Sequence, residues 1–143
     1  MFSLNIKDSN KLSDNSPVVD KFEIKVLSCS KNTNKFSEIT FNNTYVIMNT
    51  KTRYINATKL CNDNNKNFYQ WLEYNKENNE LLNYYDCKTY FSGGSFHLIK
   101  DDDDINNKLI NGIYIHPHLI IHIARWISPE ISWNISEIIN KCK

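Results

Sequence analysis

Arginine occurs only twice in this chain, at Arg53 and Arg125, and the formal net charge is +1. Bulk charge therefore announces no nucleic-acid partner, and any such reading must rest on local placement. No apolar run approaches the length of a membrane span, and the opening stretch lacks the apolar core of a secretory signal. Cys29, Cys61, Cys87 and Cys142 form no Cys-x-x-Cys pair and no Cys/His cluster at zinc spacing. The thiols read as free, in a reducing intracellular setting.

Catalytic signatures are missing too. No Ser or Cys stands in a pattern with a His base, and Ser92-Gly93-Gly94-Ser95 lacks the strand and Lys of a phosphate loop. His118 and His122 are one helical turn apart but have no Glu-x-x-His or Cys partner to complete a metal set. Asp101–Asp104 has neither the interleaved ligands nor the closing Glu of a calcium loop. The residues point to no enzyme, no cofactor and no metal.

What is present suits a folded α+β protein. The hydrophobic share is 41%, with eight Tyr, seven Phe and three Trp among 143 residues, enough for one domain with a real core. Residues 1–20 are polar with little periodicity and read as a flexible arm, leaving 21–143 as a single domain. Phe22–Leu27 alternates and predicts a strand, and Phe36–Phe41 a second. Tyr45–Met48 and Arg53–Ile55 flank Asn49–Thr52, which predicts a β-hairpin.

Asn56 then caps a short helix, Ala57–Cys61, and a polar turn leads to a second with Phe68, Trp71 and Leu72 on one face. Helix, short turn, helix is the outline of a helix-turn-helix unit. Asn75–Asn79 breaks the pattern, and Leu81, Leu82, Tyr84 and Tyr85 predict a third short helix ending near Asp86. Thr89–Phe91 and Phe96–Ile99 flank the Ser92–Ser95 turn. Phe96–Lys100 and Leu109–Ile115 predict a second hairpin with an acidic tip. Pro117 opens a helix buried through Leu119, Ile120, Ile123, Ala124 and Ile127, with His116 in a capping or packing role. Ser128 caps a last helix that buries Ile131, Ile135, Ile138 and Ile139.

Four of these blocks carry a family resemblance. Tyr54-Ile-Asn-Ala-Thr-Lys-Leu-Cys61, Lys66-x-Phe68-x-x-Trp71, Gly112-x-x-x-His116-Pro117-x-Leu119 and Ile123-Ala124-x-Trp126-Ile127-Ser128-Pro129 together resemble the KilA-N domain. That family occurs in large DNA viruses and phages and is related to the fungal APSES DNA-binding domain. The resemblance covers roughly residues 45–139. It implies a winged-helix-like α+β domain, with the acidic hairpin in the place of the wing, that binds double-stranded DNA. The excess of Asn, Lys and Ile suits an AT-rich virus. For a poxvirus, the setting is the host cytoplasm and its viral factories.

Local charge fits that implication. Between Tyr45 and Lys76 stand five basic residues, Lys51, Arg53, Lys59, Lys66 and Lys76, against Asp63 and Glu73. The expected DNA-binding set is Arg53, Thr58, Lys59, Lys66, Asn67, Gln70 and Lys76. The cations neutralise phosphates, while Asn67 or Gln70 can bond adenine edges. RNA is an alternative ligand, and the same residues also suit an ordinary solvated helix face. Trp71 and Trp126 are expected in the core, with Tyr69 and Tyr74 exposed. Four carboxylates on a wing would repel a phosphate backbone. This leaves a second expectation, a protein-interaction adaptor that keeps the fold without DNA binding, with a protein partner or a second copy as its target.

Overall fold

The computed structural model describes residues 21–27, 36–74, 76–88, 96–99 and 109–142. The arm at 1–20, the turn at Ser92–Ser95 and the Asp101–Asp104 run lie outside them. Among the described residues, one antiparallel sheet and five helices make an α+β fold. The strands are β1 (Phe22–Leu27), β2 (Phe36–Phe41), β3 (Thr44–Asn49), β4 (Ile55–Asn56), β5 (Phe96–Ile99) and β6 (Gly112–Ile115). The helices are α1 (Ala57–Asp63), α2 (Phe68–Tyr74), α3 (Lys76–Lys88), α4 (Pro117–Ile127) and α5 (Pro129–Lys141).

The first three strands form a meander, because Asn42, at φ 55, supplies the left-handed residue of a two-residue turn between β2 and β3. The expected β3–β4 hairpin is present with a shorter second arm, since Arg53, at φ 68, and Tyr54 precede the strand. Asn49 Oδ1 closes it by accepting the N–H of Lys51 (3.0 Å) and Thr52 (3.2 Å). Strand order is β1-β2-β3-β4-β6-β5, so β6 enters beside β4 from far along the chain. β5 and β6 pair as the second hairpin, in register from Phe96↔Ile115 to Ile99↔Gly112.

One face of the sheet is covered by helices. Ile39, Phe41, Val46 and Met48 meet Leu60, Phe68, Trp71, Ile120, Ile123, Ile135 and Ile138 in the main core. A smaller cluster on the other face joins Phe36, Ile47, Tyr54, Ile110 and Tyr114. Inside the main core the Asn134 amide of α5 donates to the Thr44 hydroxyl of β3 at 2.9 Å, so both buried polar groups are satisfied. Burial pushes the Cys61 thiol up to about 12, with the nearby Lys66 charge acting the other way. No helix among the described residues is long and apolar enough to cross a membrane.

Two expectations need correction. α3 starts at Lys76, not near Leu81. Asn78 and Asn79 do not break the helix, because their amides donate to the Trp71 and Leu72 carbonyls at 2.6 and 3.0 Å, satisfying the end of α2. The second correction is at Leu109 and Ile110, which form a tight turn, so the strand begins only at Gly112. Ile110 is buried there, and its carbonyl accepts the Tyr114 hydroxyl at 2.6 Å.

α4 and α5 are capped as their sequences imply. His116 Nδ1 accepts the His118 N–H at 3.1 Å, and Ser128 Oγ accepts the Ile131 N–H at 3.0 Å. Burial, then the His118 charge, holds His116 below the usual imidazole value; burial, then Arg125, does the same for His122. A depressed imidazole favours the neutral fold, so this stability is present above about pH 6.5 and is lost as pH falls. Thermal melts are expected to drop between pH 7.5 and 5.5, and His116→Asn, which keeps a cap acceptor, should flatten part of that slope. An unchanged slope would refute this role for His116.

Candidate nucleic-acid interface

The α1–α2 unit is built by asparagines. Asn56 Oδ1 accepts the Lys59 N–H at 2.9 Å and starts α1, while its Nδ2 donates to the Asn111 carbonyl at 3.0 Å. α1 ends where Asn65, at φ 60, turns left-handed, so that the Lys66 N–H reaches the Cys61 carbonyl at 2.8 Å. Asn67 starts α2: its Oδ1 accepts the Tyr69 N–H at 2.8 Å, and Gln70 Oε1 reaches back to the Asn67 N–H at 3.2 Å. This resembles a capping box, with the Asn67 oxygen on the second helical N–H rather than the third. Neither helix exceeds seven residues, so caps and core contacts rather than propensity hold them.

These bonds decide what each expected site residue has to offer. Thr58 Oγ1 accepts the Ile113 N–H at 3.0 Å and fastens α1 to β6. Asn67 and Gln70 are exposed but already use their oxygens on the helix start, which leaves their NH2 groups to present outward. Lys59 pairs with Asp63 at 3.1 Å, one turn on, with its ammonium 5.4 Å from the Tyr45 ring centre. Lys66 lies over the Trp126 ring at 4.7 Å. Lys76 is exposed at the start of α3. Arg53 is exposed at φ 68, and its charge reaches the Cys142 thiol just past α5.

The cations do not converge on one spot. At ~1.5 Å per residue α5 is roughly 20 Å long, with Trp126 near its start and Cys142 at its end. Lys66 and Arg53 therefore occupy opposite ends of that helix.

Around Lys66 the fold assembles a cluster that the sequence did not reveal. Tyr74, at 71% exposure, packs against Trp126 with ring centres 6.2 Å apart. The two rings line a groove of about 390 Å³ together with Asn78, His122 and Arg125. Arg125 is exposed and was missed because it sits between buried Ala124 and half-buried Trp126, where the helix pattern alone assigns it no role. Trp71 is buried as expected, Trp126 half-buried, and Tyr69 exposed. Among the described residues no cluster of three potential metal ligands occurs.

The KilA-N domain family model matches residues 39–143, slightly more than the stretch carrying the four blocks. The chain belongs to the KilA-N domain family. An uncharacterized protein of fowlpox virus is 32% identical over 126 residues, covering 82% of this chain and 76% of that protein. A protein of Acanthamoeba polyphaga mimivirus named for its KilA-N domain is 37% identical over 105 residues, covering 70% of this chain and 29% of its own. A KilA-N domain-containing protein of invertebrate iridescent virus 6 is 33% identical over 110 residues, covering 74% and 30%. The chain thus spans three-quarters of the fowlpox protein but under a third of the other two. No solved structure matches.

Proposed function

We propose that this KilA-N domain binds duplex DNA through α1, α2 and the cations beside them. The family is generally linked to DNA binding. The observation that carries the reading here is the Lys66–Trp126–Tyr74 cluster with Arg125 at its groove, a basic and aromatic surface next to an exposed helix start. Lys59, Lys66, Lys76, Arg125 and Arg53 supply charge for phosphates, and the amides of Asn67 and Gln70 stand at the N-terminal end of α2. Groove-reading helices contact bases mainly through such N-terminal residues.

A second reading, a protein-interaction adaptor, is favoured by the Lys59–Asp63 pair, which cancels one of these charges, and by the exposed apolar side chains of Tyr69, Leu98 and Trp133.

Fluorescence anisotropy with a labelled duplex, titrated across salt, separates the two. The DNA reading expects affinity to fall with salt along a slope worth about three to five phosphate contacts. Absence of binding at low salt would reject it and leave the adaptor. A matched RNA duplex binding more tightly would replace DNA by RNA as the ligand.

A further inference from the structure

β1 is the outermost strand of the sheet among the described residues, and its composition is unusual for an edge. Ile24 is 52% and Val26 69% exposed. Both lie on the face that the helices cover further in, since Ile24 pairs with core residue Ile39. Glu23 and Lys25 alternate with them on the opposite face. An edge strand with exposed apolar residues is a template for another strand.

The backbone says which residues offer hydrogen bonds outward. The Asn42 N–H donates to the Lys21 carbonyl at 2.9 Å. Those two residues are opposite in the register that continues to Phe22↔Phe41. In an antiparallel pair such bonded positions alternate, so Glu23, Lys25 and Leu27 turn their amides and carbonyls toward β2. Phe22, Ile24 and Val26 turn theirs to the edge that no described strand covers.

We propose that β1 pairs with β1 of a second copy of this chain, antiparallel across a two-fold axis at Ile24. Outward-facing residues bond only to outward-facing residues, which restricts the register to steps of two. In the register with full overlap Ile24 faces its own copy and Phe22 faces Val26. Glu23 then falls opposite Lys25 on both sides of the axis, at the non-bonded positions where side chains approach most closely. A shift of two in one direction sets Glu23 against Glu23, and in the other Lys25 against Lys25. Charge complementarity therefore selects one register out of the series. On the same face, a hollow of about 350 Å³ bordered by Phe22, Ile24, Met48, Thr50, Lys141 and Cys142 lies beside the position that Val26 of the second copy takes.

Sedimentation equilibrium of the full chain over a range of concentrations tests the pairing. A reversible dimer is expected. Glu23→Lys or Lys25→Glu alone turns both symmetric charge pairs repulsive and should weaken the dimer roughly tenfold or more. The double swap Glu23→Lys/Lys25→Glu restores complementarity and should return the dimer close to wild type. Both positions are solvent-exposed, but Lys25 also pairs with Glu38 of β2 at 4.0 Å, so Lys25→Glu sets two carboxylates side by side within one protomer. Thermal melts of the variants separate that loss from loss of the dimer, and Glu23→Lys is the cleaner single reversal. A monomer at every concentration would overturn the proposal, as would a dimer indifferent to the single reversals or one that the double swap fails to rescue. The DNA reading stands or falls separately, because none of its residues lies on β1.

Discussion

Gly112→Ala is expected to cost the fold about 3 kcal/mol or more, the range reached by mutations that combine backbone strain with a buried clash. Gly112 has φ +148, and a Cβ there would stand 2.3 Å from Asn56 Oδ1 and 2.8 Å from Nδ2. The asparagine has little room to yield. It is fully buried, and its two ends cap α1 and hold the Asn111 carbonyl. Displacing it forfeits a helix cap, worth about 1 kcal/mol, and leaves a carbonyl short of its partner, at about 1–3 kcal/mol. Urea denaturation followed by circular dichroism gives the cost directly. Asn56→Ala removes the obstacle as well as the cap, so the double variant should be more stable than the sum of the two single losses predicts. Additive losses would mean that the contact is not where the strain resides.

Lys59→Glu together with Lys66→Glu is expected to lower duplex affinity by roughly two orders of magnitude at moderate salt, by removing two phosphate contacts and adding two repulsive charges. The two halves should be unequal. Lys59 already shares its charge with Asp63, whereas Lys66 is held over an aromatic ring that leaves its ammonium uncancelled by that contact. Lys66→Glu should therefore cost more than Lys59→Glu, and Arg125→Glu should resemble Lys66→Glu because Arg125 lines a groove with Trp126, the ring that carries the Lys66 ammonium. Asp63→Asn frees Lys59 and should tighten binding. Anisotropy at fixed salt ranks all four. A double reversal that leaves both affinity and salt slope unchanged would remove α1 and α2 from the interface.

The parts of this fold that were legible beforehand are those whose signals are local. Asn56 before Ala57, His116 before Pro117 and Ser128 before Pro129 each start a helix with atoms only two or three residues away. What escaped depends on partners remote in the chain or on another element. The asparagines of α3 look like helix breakers until the ends of their side chains are seen on the carbonyls of α2. Leu109–Ile115 looks like one strand until Ile110 is drawn into the far-side cluster. The candidate site was readable in the same measure. Lys59 and Lys66 are candidates from position along the chain alone, whereas Arg125 joins the proposal only because α2, α3 and α4 meet around one groove. Thr58 could not be recognised as a fastener without β6, 55 residues later.

That fastening has a consequence for how the molecule is made. The Nδ2 end of the Asn56 side chain and the hydroxyl of Thr58 both wait for residues 111–113, so during synthesis the first helix of the pair has emerged, with only its local cap, long before its anchor exists. The nascent α1–α2 segment, of seven-residue helices, has little reason to hold its shape alone. A ribosome-bound chain cut short before Gly112 should therefore lack the organised surface, and an isolated peptide spanning 45–76 should carry its charges without their arrangement.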